Sequence, residues 1–491
     1  MSQRTIARAA ILLPMIGTVI ARPAAATPLL GTFGSPSGPN PFNARVLPSG
    51  ADAAWFNPGL LLDVDPRIEA GVFAIRQSFD IALRARPDGA DIAPSIYDAR
   101  AVNPDGSTRR LAYRPLPTAS LRTPRGSVDP SQTGLYLTIG TVVHVIPDRL
   151  AIGMHTLLPT RSFQTQRSAF ADEREQYFSN SLHYELYGDR LEANLISLAA
   201  AVRPFDGLTV GLGATASNEG RATNQAFVPD ASDQSVIVMN TSVEVHTRFR
   251  PYMGVDVDPF QPLHVVATLH LPYSNDTVGT NDLQLWNYEY PPGQTSFLQG
   301  FDYVSHASPL TAALGAGWRP KPRGTIGFEA AATVVWAQWS HYRDRHHAVP
   351  EDPWLDTFSA SLGGSARWHD HRLGLDATYQ PSPVPRQSGR SNYVDSDRLG
   401  AAAGYAGRFH LGSTRFEAGA QLQIHRLLPR SETKSWSAAH PVIDEFPDAV
   451  DARTGQPIEA SHGLQTNNPG YPGYDTQGWL LAAGVSLAVL L

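Results

Sequence analysis

Apolar and polar residues alternate with a period of two through most of this chain, and the pattern runs to its last residue. From Trp479 one face reads Trp479, Leu481, Ala483, Val485, Leu487, Val489 and Leu491; the other carries Ala482, Gly484, Ser486 and Ala488 among two leucines. Successive side chains of a strand point to opposite faces, so such a segment lies between two different surroundings. The segment from Arg415 behaves alike, with Phe416, Ala418, Ala420, Leu422 and Ile424 opposite Glu417, Gln421, Gln423 and His425. In a soluble sandwich the outer face is the polar one. Here the pattern suits a barrel with lipid outside and a polar lumen.

The same alternation recurs in 68–84, 135–145, 150–158, 192–202, 208–216, 239–249, 263–273, 310–318, 325–336, 358–368, 372–379 and 398–405. With the two segments above, this predicts an all-β fold, a transmembrane antiparallel β-barrel of about 14 strands. An even count places both ends of a bacterial single-chain barrel on one side. The connections agree. Links such as Pro147-Asp148-Arg149, Pro204 to Gly207, Asp256 to Pro262 and His369-Asp370-His371 are short, whereas 87–132, 160–189, 217–235, 275–308, 340–355, 381–392 and 429–477 are long. Short turns on one rim and long loops on the other are the asymmetry of an outer-membrane barrel. Trp318, Trp336, Trp368, Tyr379, Tyr405 and Trp479 fall near strand ends, as an interfacial girdle requires.

The start of the chain sets the compartment. Arg4 and Arg8, an apolar stretch from Ala9 to Ile20 and the small residues Ala24-Ala25-Ala26 read as a signal peptide over residues 1–26. A bacterial outer-membrane location follows. Beyond it no stretch reaches the 18 or so apolar residues of a spanning helix, and mean hydropathy is −0.22. A net charge of −6 argues against nucleic acid as a partner.

Residues 27–66 are rich in Gly, Pro, Ser and Asn and lack strand periodicity, so they do not belong to the wall. They are expected in the lumen as an N-terminal plug, with the barrel over residues 67–491. Within them, Ser49-Gly50-Ala51-Asp52-Ala53-Ala54-Trp55-Phe56-Asn57-Pro58-Gly59 resembles the plug signature of the FadL/TodX family of outer-membrane transporters of hydrophobic compounds. Two further stretches resemble that family. One is Asp395-Ser396-Asp397-Arg398 entering a late strand; the other is the Pro204 to Gly213 turn with its Gly-rich strand. The resemblance covers essentially the mature chain. Departures are Gly59 where alanine is usual and Leu491 where a terminal aromatic is usual.

The resemblance implies passive transport of long-chain fatty acids or related hydrophobic compounds, without a cofactor and without enzymatic activity. Expected partners are those small molecules and outer-membrane lipid, and the chain is expected to be a monomer. Apolar solutes cross lipopolysaccharide poorly, so a path must offer apolar surface in place of water. In the fourth long connection Leu283, Leu285, Trp286, Tyr288, Tyr290, Phe297, Leu298, Phe301 and Tyr303 give a density of apolar groups unusual for a solvated loop, and are the expected capture site. Packing of these rings onto the barrel rim is the alternative. Trp55, Phe56, Asn57 and Pro58 are the expected gate, against a plug held by ordinary packing.

By parity Glu329, Arg367, Arg372, Asp376, Arg398 and Glu417 point into the lumen. Mixed signs on neighbouring strands read as ion pairs joining wall and plug. An inward arginine holding a carboxylate head group is the sharper alternative. His341, His346 and His347, and His369 with His371, lack the ligand set of a structural zinc site, so no metal is expected. His264 and His270 share the inward face, with Asn240 and Ser242 on the preceding strand, but nothing fixes a hydrolytic triad there. An adhesive barrel with a closed plug and a general porin remain as other readings.

Overall fold

In the computed structural model, the described residues are 29–84, 100–102, 108–110, 126–128, 132–160, 182, 185–187, 194–230, 236–289, 292–321, 325–344, 347–350, 352–387, 392–434 and 472–491. The expected leader and most of the long connections at 87–132, 160–189 and 429–477 lie outside them.

The strands in chain order begin with β1 (Arg67–Leu83), β2 (Arg100–Val102), β3 (Thr108–Arg110), β4 (Gly126–Val128), β5 (Gln132–Ile146), β6 (Leu150–Pro159) and β7 (Leu195–Phe205). Next come β8 (Leu208–Val228), β9 (Val238–Phe260), β10 (Leu263–His270), β11 (Tyr273–Glu289), β12 (Pro292–Ser308) and β13 (Thr311–Trp318). The chain closes with β14 (Ile326–Ala337), β15 (Thr357–Trp368), β16 (His371–Gln380), β17 (Arg398–Leu411), β18 (Thr414–Thr433) and β19 (Gly473–Leu490).

Fourteen of these, β1, β5 to β10 and β13 to β19, form one closed antiparallel barrel. Closure is made by β1, which pairs with β19 from Arg67↔Leu490 to Leu83↔Tyr474 and with β5 from Arg67↔Val142 to Gln77↔Gln132. A closed ladder leaves no wall edge unpaired, the condition for a sheet in hydrocarbon. The outward positions are the apolar ones of the alternation: Leu212, Leu314, Leu362, Leu375, Leu422 and Val485 are exposed, while Thr209, Thr215, Gln421 and Gln423 are buried. No helix among the described residues is long and apolar enough to cross a membrane.

Several strands outrun the sequence expectation. The stretch 217–235, read as a loop, is largely ladder: β8 and β9 stay paired from Leu208↔Val257 to Phe227↔Val238. Likewise the loop expected over 275–308 is the β11–β12 hairpin, paired from Tyr273↔Ser308 to Glu289↔Pro292, with β11 also parallel to the far end of β8. Past the bilayer no apolar row is required, so alternation fades while backbone pairing continues. For the same reason Tyr405 and Trp479 lie inside long strands rather than at their ends, unlike Trp318, Trp336, Trp368 and Tyr379.

Candidate functional site

The segment over 29–66, expected as the plug, is buried against residues of the wall strands. It holds two short helices, α1 (Leu29–Phe33) and α2 (Ala53–Phe56), and 3-10 turns at Pro41–Asn43 and Pro58–Asp63. Val46, Leu47 and Leu60 are buried with Val266 and Ala331 of the wall. Ala51, Ala53, Ala54, Leu61 and Leu62 are buried with Val142, Ala151, Ala199 and Ala201. Small residues meet small residues here, which brings the plug backbone against the strands.

The Trp-Phe-Asn-Pro-Gly run has a definite local cause. Asn57 is extended (φ −158°, ψ 98°), and its Oδ1 accepts from Gly59 N at 3.0 Å, capping the following 3-10 turn. Asn57 Nδ2 donates to Arg45 O at 3.2 Å. The wall makes room with glycine: a Cβ at Gly254 would lie 2.1 Å from Asn57 Oδ1, and one at Gly211 2.3 Å from the Pro58 carbonyl carbon. Gly59 itself faces the β9 backbone, where a Cβ would stand 3.1 Å from Asp256 N and Val255 C. That close approach accounts for glycine where the resemblance expects alanine.

Polar side chains fasten the plug. Asp376 Oδ2 accepts from Phe42 N (2.8 Å) and Asn43 N (3.2 Å), and Oδ1 from Asn40 Nδ2 (2.9 Å) and Asn43 Nδ2 (3.1 Å). Glu69 accepts from Ala51 N at 2.9 Å. Arg67 donates to Ser49 O and pairs with Glu417, each at 2.8 Å, and Arg408 completes the pair from the other side. Glu329 is held by Arg367 and Arg372, both at 3.0 Å. Of the expected lumen charges, Glu329, Arg367, Arg372 and Glu417 have ion-pair partners, and Asp376 accepts hydrogen bonds from residues of the 29–66 segment. In the plug itself, burial pushes the Asp52 carboxyl up to about 6, although a hydrogen bond from the Ser35 hydroxyl and the nearby Arg67 act in the opposite direction.

The two sides of the plug differ. Toward the short-turn rim lies a polar cavity of about 270 Å³, bounded by Asp63, Asp65, Arg67, His371, Arg408 and Glu417 among others. Toward the long-connection rim lies a second cavity of about 110 Å³, several times what one water needs (roughly 10–15 Å³). Leu30, Phe42, Trp55 and Phe56 of the plug, and Tyr252, Leu271, Val335 and Trp339 of the wall, give it apolar surface. Tyr252 donates to Ala54 O at 2.6 Å and stacks on His270 with ring centroids 4.7 Å apart, and His270 in turn meets Trp55 at 4.9 Å.

Three arginines also line this second cavity: Arg45 of the plug, and Arg250 and Arg398 of the wall. Arg45 Nε, Arg250 Nε and Arg398 Nη1 are buried without a hydrogen-bond partner. Arg250 pairs with Glu219 through Nη2 at 3.3 Å. Among the described residues Arg45 and Arg398 meet no carboxylate; Arg45 lies over the rings of Trp55 and Phe56 at 5.5 and 5.3 Å, and Arg398 over Tyr187 at 5.7 Å. Burial brings the Arg45 guanidinium down to about 10, so it is charged at neutral pH. Buried cations ordinarily have partners. These face a cavity.

Trp55 and Phe56, expected in the gate, and Arg398, expected separately in the lumen, all line this second cavity, while Asn57 and Pro58 form the turn that follows Phe56. The expected capture residues are elsewhere. Leu283 pairs with Phe297, Phe301 with Gly279, and Leu283 with Ala226 of β8, which places them on the face that continues the outward side of β8. Asp282↔Leu298 puts Leu298 on the opposite face; Leu285 and Trp286 occupy the tip-ward part of β11, with Trp286 exposed. Tyr288 and Tyr303 belong to the hairpin strands, their side chains outside the described set, and Tyr290 lies outside the described residues. Among the described hairpin residues, only Tyr273 and Ser308, at its base, line the cavity. Asn240 and Ser242 pair with Gln225 and Thr223 far along β9, apart from His264 and His270, so the residues weighed for hydrolysis are not assembled. Sequence reading missed Arg45, Arg250 and Tyr252. The parity of β9 would have turned the last two inward, and Arg45 is a lone charge between apolar residues.

No family model and no curated protein matches the chain. Among solved structures it is similar to a Pseudomonas aeruginosa FadL homologue (15% identity, 93% of this chain and 98% of that one, TM-score 0.48). It is also similar to the Pseudomonas putida toluene transporter TodX (12% identity, 96% and 100%, TM-score 0.43) and the Ralstonia pickettii toluene transporter TbuX (9% identity, 94% and 98%, TM-score 0.40). Each score is below 0.5, so the architecture rests on the strand pairing and plug contacts of this chain.

Proposed function

We propose that this protein is an outer-membrane passive transporter of hydrophobic molecules, with long-chain fatty acids as the class that best fits its lumen. The observation that supports this most directly is the cavity on the outer side of the plug, apolar through Trp55, Phe56, Tyr252 and Trp339 yet bordered by two guanidiniums without carboxylate partners among the described residues. An apolar tail gains by leaving water, and a carboxylate head satisfies buried N–H donors that otherwise have none. Capture occurs first on the β11–β12 hairpin, where exposed Trp286, Phe297 and Leu298 offer apolar surface above the bilayer. Trp55 and Phe56, carried on α2, form the floor beyond which the ligand does not pass until the plug shifts. No cofactor takes part.

The test is binding of oleate, decane and toluene to detergent-purified protein. Saturable oleate binding is expected, weakened in Trp55→Ala. Absence of binding by all three ligands overturns the reading. Large steady single-channel currents would instead indicate an open porin.

A further inference from the structure

We propose that Asp256, Asp258 and His264 form a binding site for a divalent transition-metal cation, with Zn²⁺ as its representative. This goes beyond the transport reading and does not depend on it.

The site is built by the ladder register. Val266 pairs with Asp256 and Val265 with Val257, which sets Asp258 opposite His264; the register shifts only at the turn side, where Leu263 pairs with Phe260. Asp256 and Asp258, two apart on one strand, share a face, and His264 of the neighbouring strand lies on that same face. One ligand atom from each lies within 4.8 Å of the other two.

Charge supplies the second observation. Asp256 is 3% exposed, and among the described residues its side chain has one polar partner, His264 Nδ1 at 3.3 Å. Among the described residues no guanidinium pairs with Asp256 or Asp258; Arg319 and Arg203 nearby are both engaged by Asp63 of the plug, at 3.5 and 2.9 Å. A buried carboxylate beside a second carboxylate calls for a cation. His264 is equally buried and presents Nδ1 to the carboxylates, while its Nε2 faces Gly317 of β13. A 3.3 Å gap is long for a charge-assisted hydrogen bond. It matches the roughly 3.3 Å edge of a tetrahedron whose metal bonds are about 2.0 Å. One imidazole with two carboxylates suits zinc and its neighbours better than calcium or magnesium, which favour all-oxygen sets.

Position gives the site a consequence. Asp256 N faces Gly59 of the plug, and Asp63 ends the plug's last 3-10 turn. A cation here joins two wall strands under the point where the plug leaves the lumen, and stiffens that support.

The experiment uses the full chain without a histidine tag, stripped with EDTA and titrated with ZnCl₂ by calorimetry, with metal content measured after dialysis. One Zn²⁺ per chain is expected at micromolar affinity or better, together with a zinc-dependent rise in Tm. His264→Ala and Asp258→Asn should each weaken binding at least tenfold and abolish the Tm rise. Asp258 is exposed, so that variant tests the site without disturbing the core, and heat-modifiable gel mobility verifies that each barrel is folded. No uptake by the native chain overturns the proposal and leaves a hydrogen-bonded His264–Asp256 pair. Uptake unchanged in both variants also overturns it, by assigning the metal to other histidines.

Discussion

The plug has two faces, and they treat charge differently. Toward the short-turn rim every arginine named above has a carboxylate: Arg67 and Arg408 share Glu417, Arg367 and Arg372 share Glu329. Toward the long-connection rim Arg45 and Arg398 border an apolar cavity with no carboxylate among the described residues. Paired charge fixes a position; unpaired buried charge is poised for something that arrives. One segment of about forty residues thus meets paired charge on its underside and, in the proposed reading, ligand on its upper side.

The sharpest way to break the lower face is Asp376→Ala, which leaves two asparagine amides and two backbone N–H groups of the plug without their acceptor. A loss on the order of 3–5 kcal/mol of plug docking is expected. Limited proteolysis should cut the plug and single-channel current should rise. A plug as protected as in the native chain would mean that apolar packing alone holds it.

The upper face should respond to ligand chemistry instead. Arg45→Ala and Arg398→Ala are each expected to remove about 1.5–3 kcal/mol from oleate binding, roughly ten- to a hundredfold, with decane binding unchanged. Equal losses for both ligands would make these arginines packing elements.

Between the two faces, Asp52 links plug docking to pH. Its carboxyl, raised to about 6 by burial, binds a proton more tightly in the docked plug than in the released one. The stabilisation is complete below the ordinary aspartate range near 3.8 and is lost as pH rises through about 6. Protection of residues 49–59, taken relative to the intrinsic exchange rate at each pH, should fall between about pH 4 and 6, and Asp52→Asn should flatten that fall. A profile that keeps its slope in the variant assigns the effect elsewhere.

Two smaller changes calibrate the scale. Gly59→Ala is expected to lower plug stability by about 1 kcal/mol, because its Cβ meets the β9 backbone at 3.1 Å, and thermal melts should register the loss. Arg367→Ala should change Tm least of all, by under about 1 kcal/mol equivalent, since its side chain is 56% exposed and Arg372 keeps Glu329 paired.

The period-two rows from Ile68 to Leu491 made the strand number, the closed wall and its lipid-facing side legible, because a bilayer imposes one strict surface on every strand that crosses it. Past the bilayer that constraint ends. Asn218, Arg221 and Thr223 pair as regularly as any wall residue, yet their polarity hid β8's extension and the β11–β12 hairpin. The candidate site was partly legible: Trp55, Phe56 and Arg398 were named, but parity alone does not tell a paired inward arginine from an unpaired one. Arg372 and Arg398 share a parity, and only Glu329 distinguishes them.

Composition and period, then, determined the fold class, the side of each strand that meets lipid and the presence of a segment unfit for the wall. These are local properties, written in neighbouring residues. The tertiary structure alone decided that Asp376 would hold residues more than three hundred positions away, that Arg45 would open onto a cavity, and that the β9–β10 register would set His264 beside Asp256 and Asp258. Such juxtapositions depend on how fourteen strands close and where the plug comes to rest. Register and closure set distances between residues far apart in sequence, and no local pattern encodes those distances.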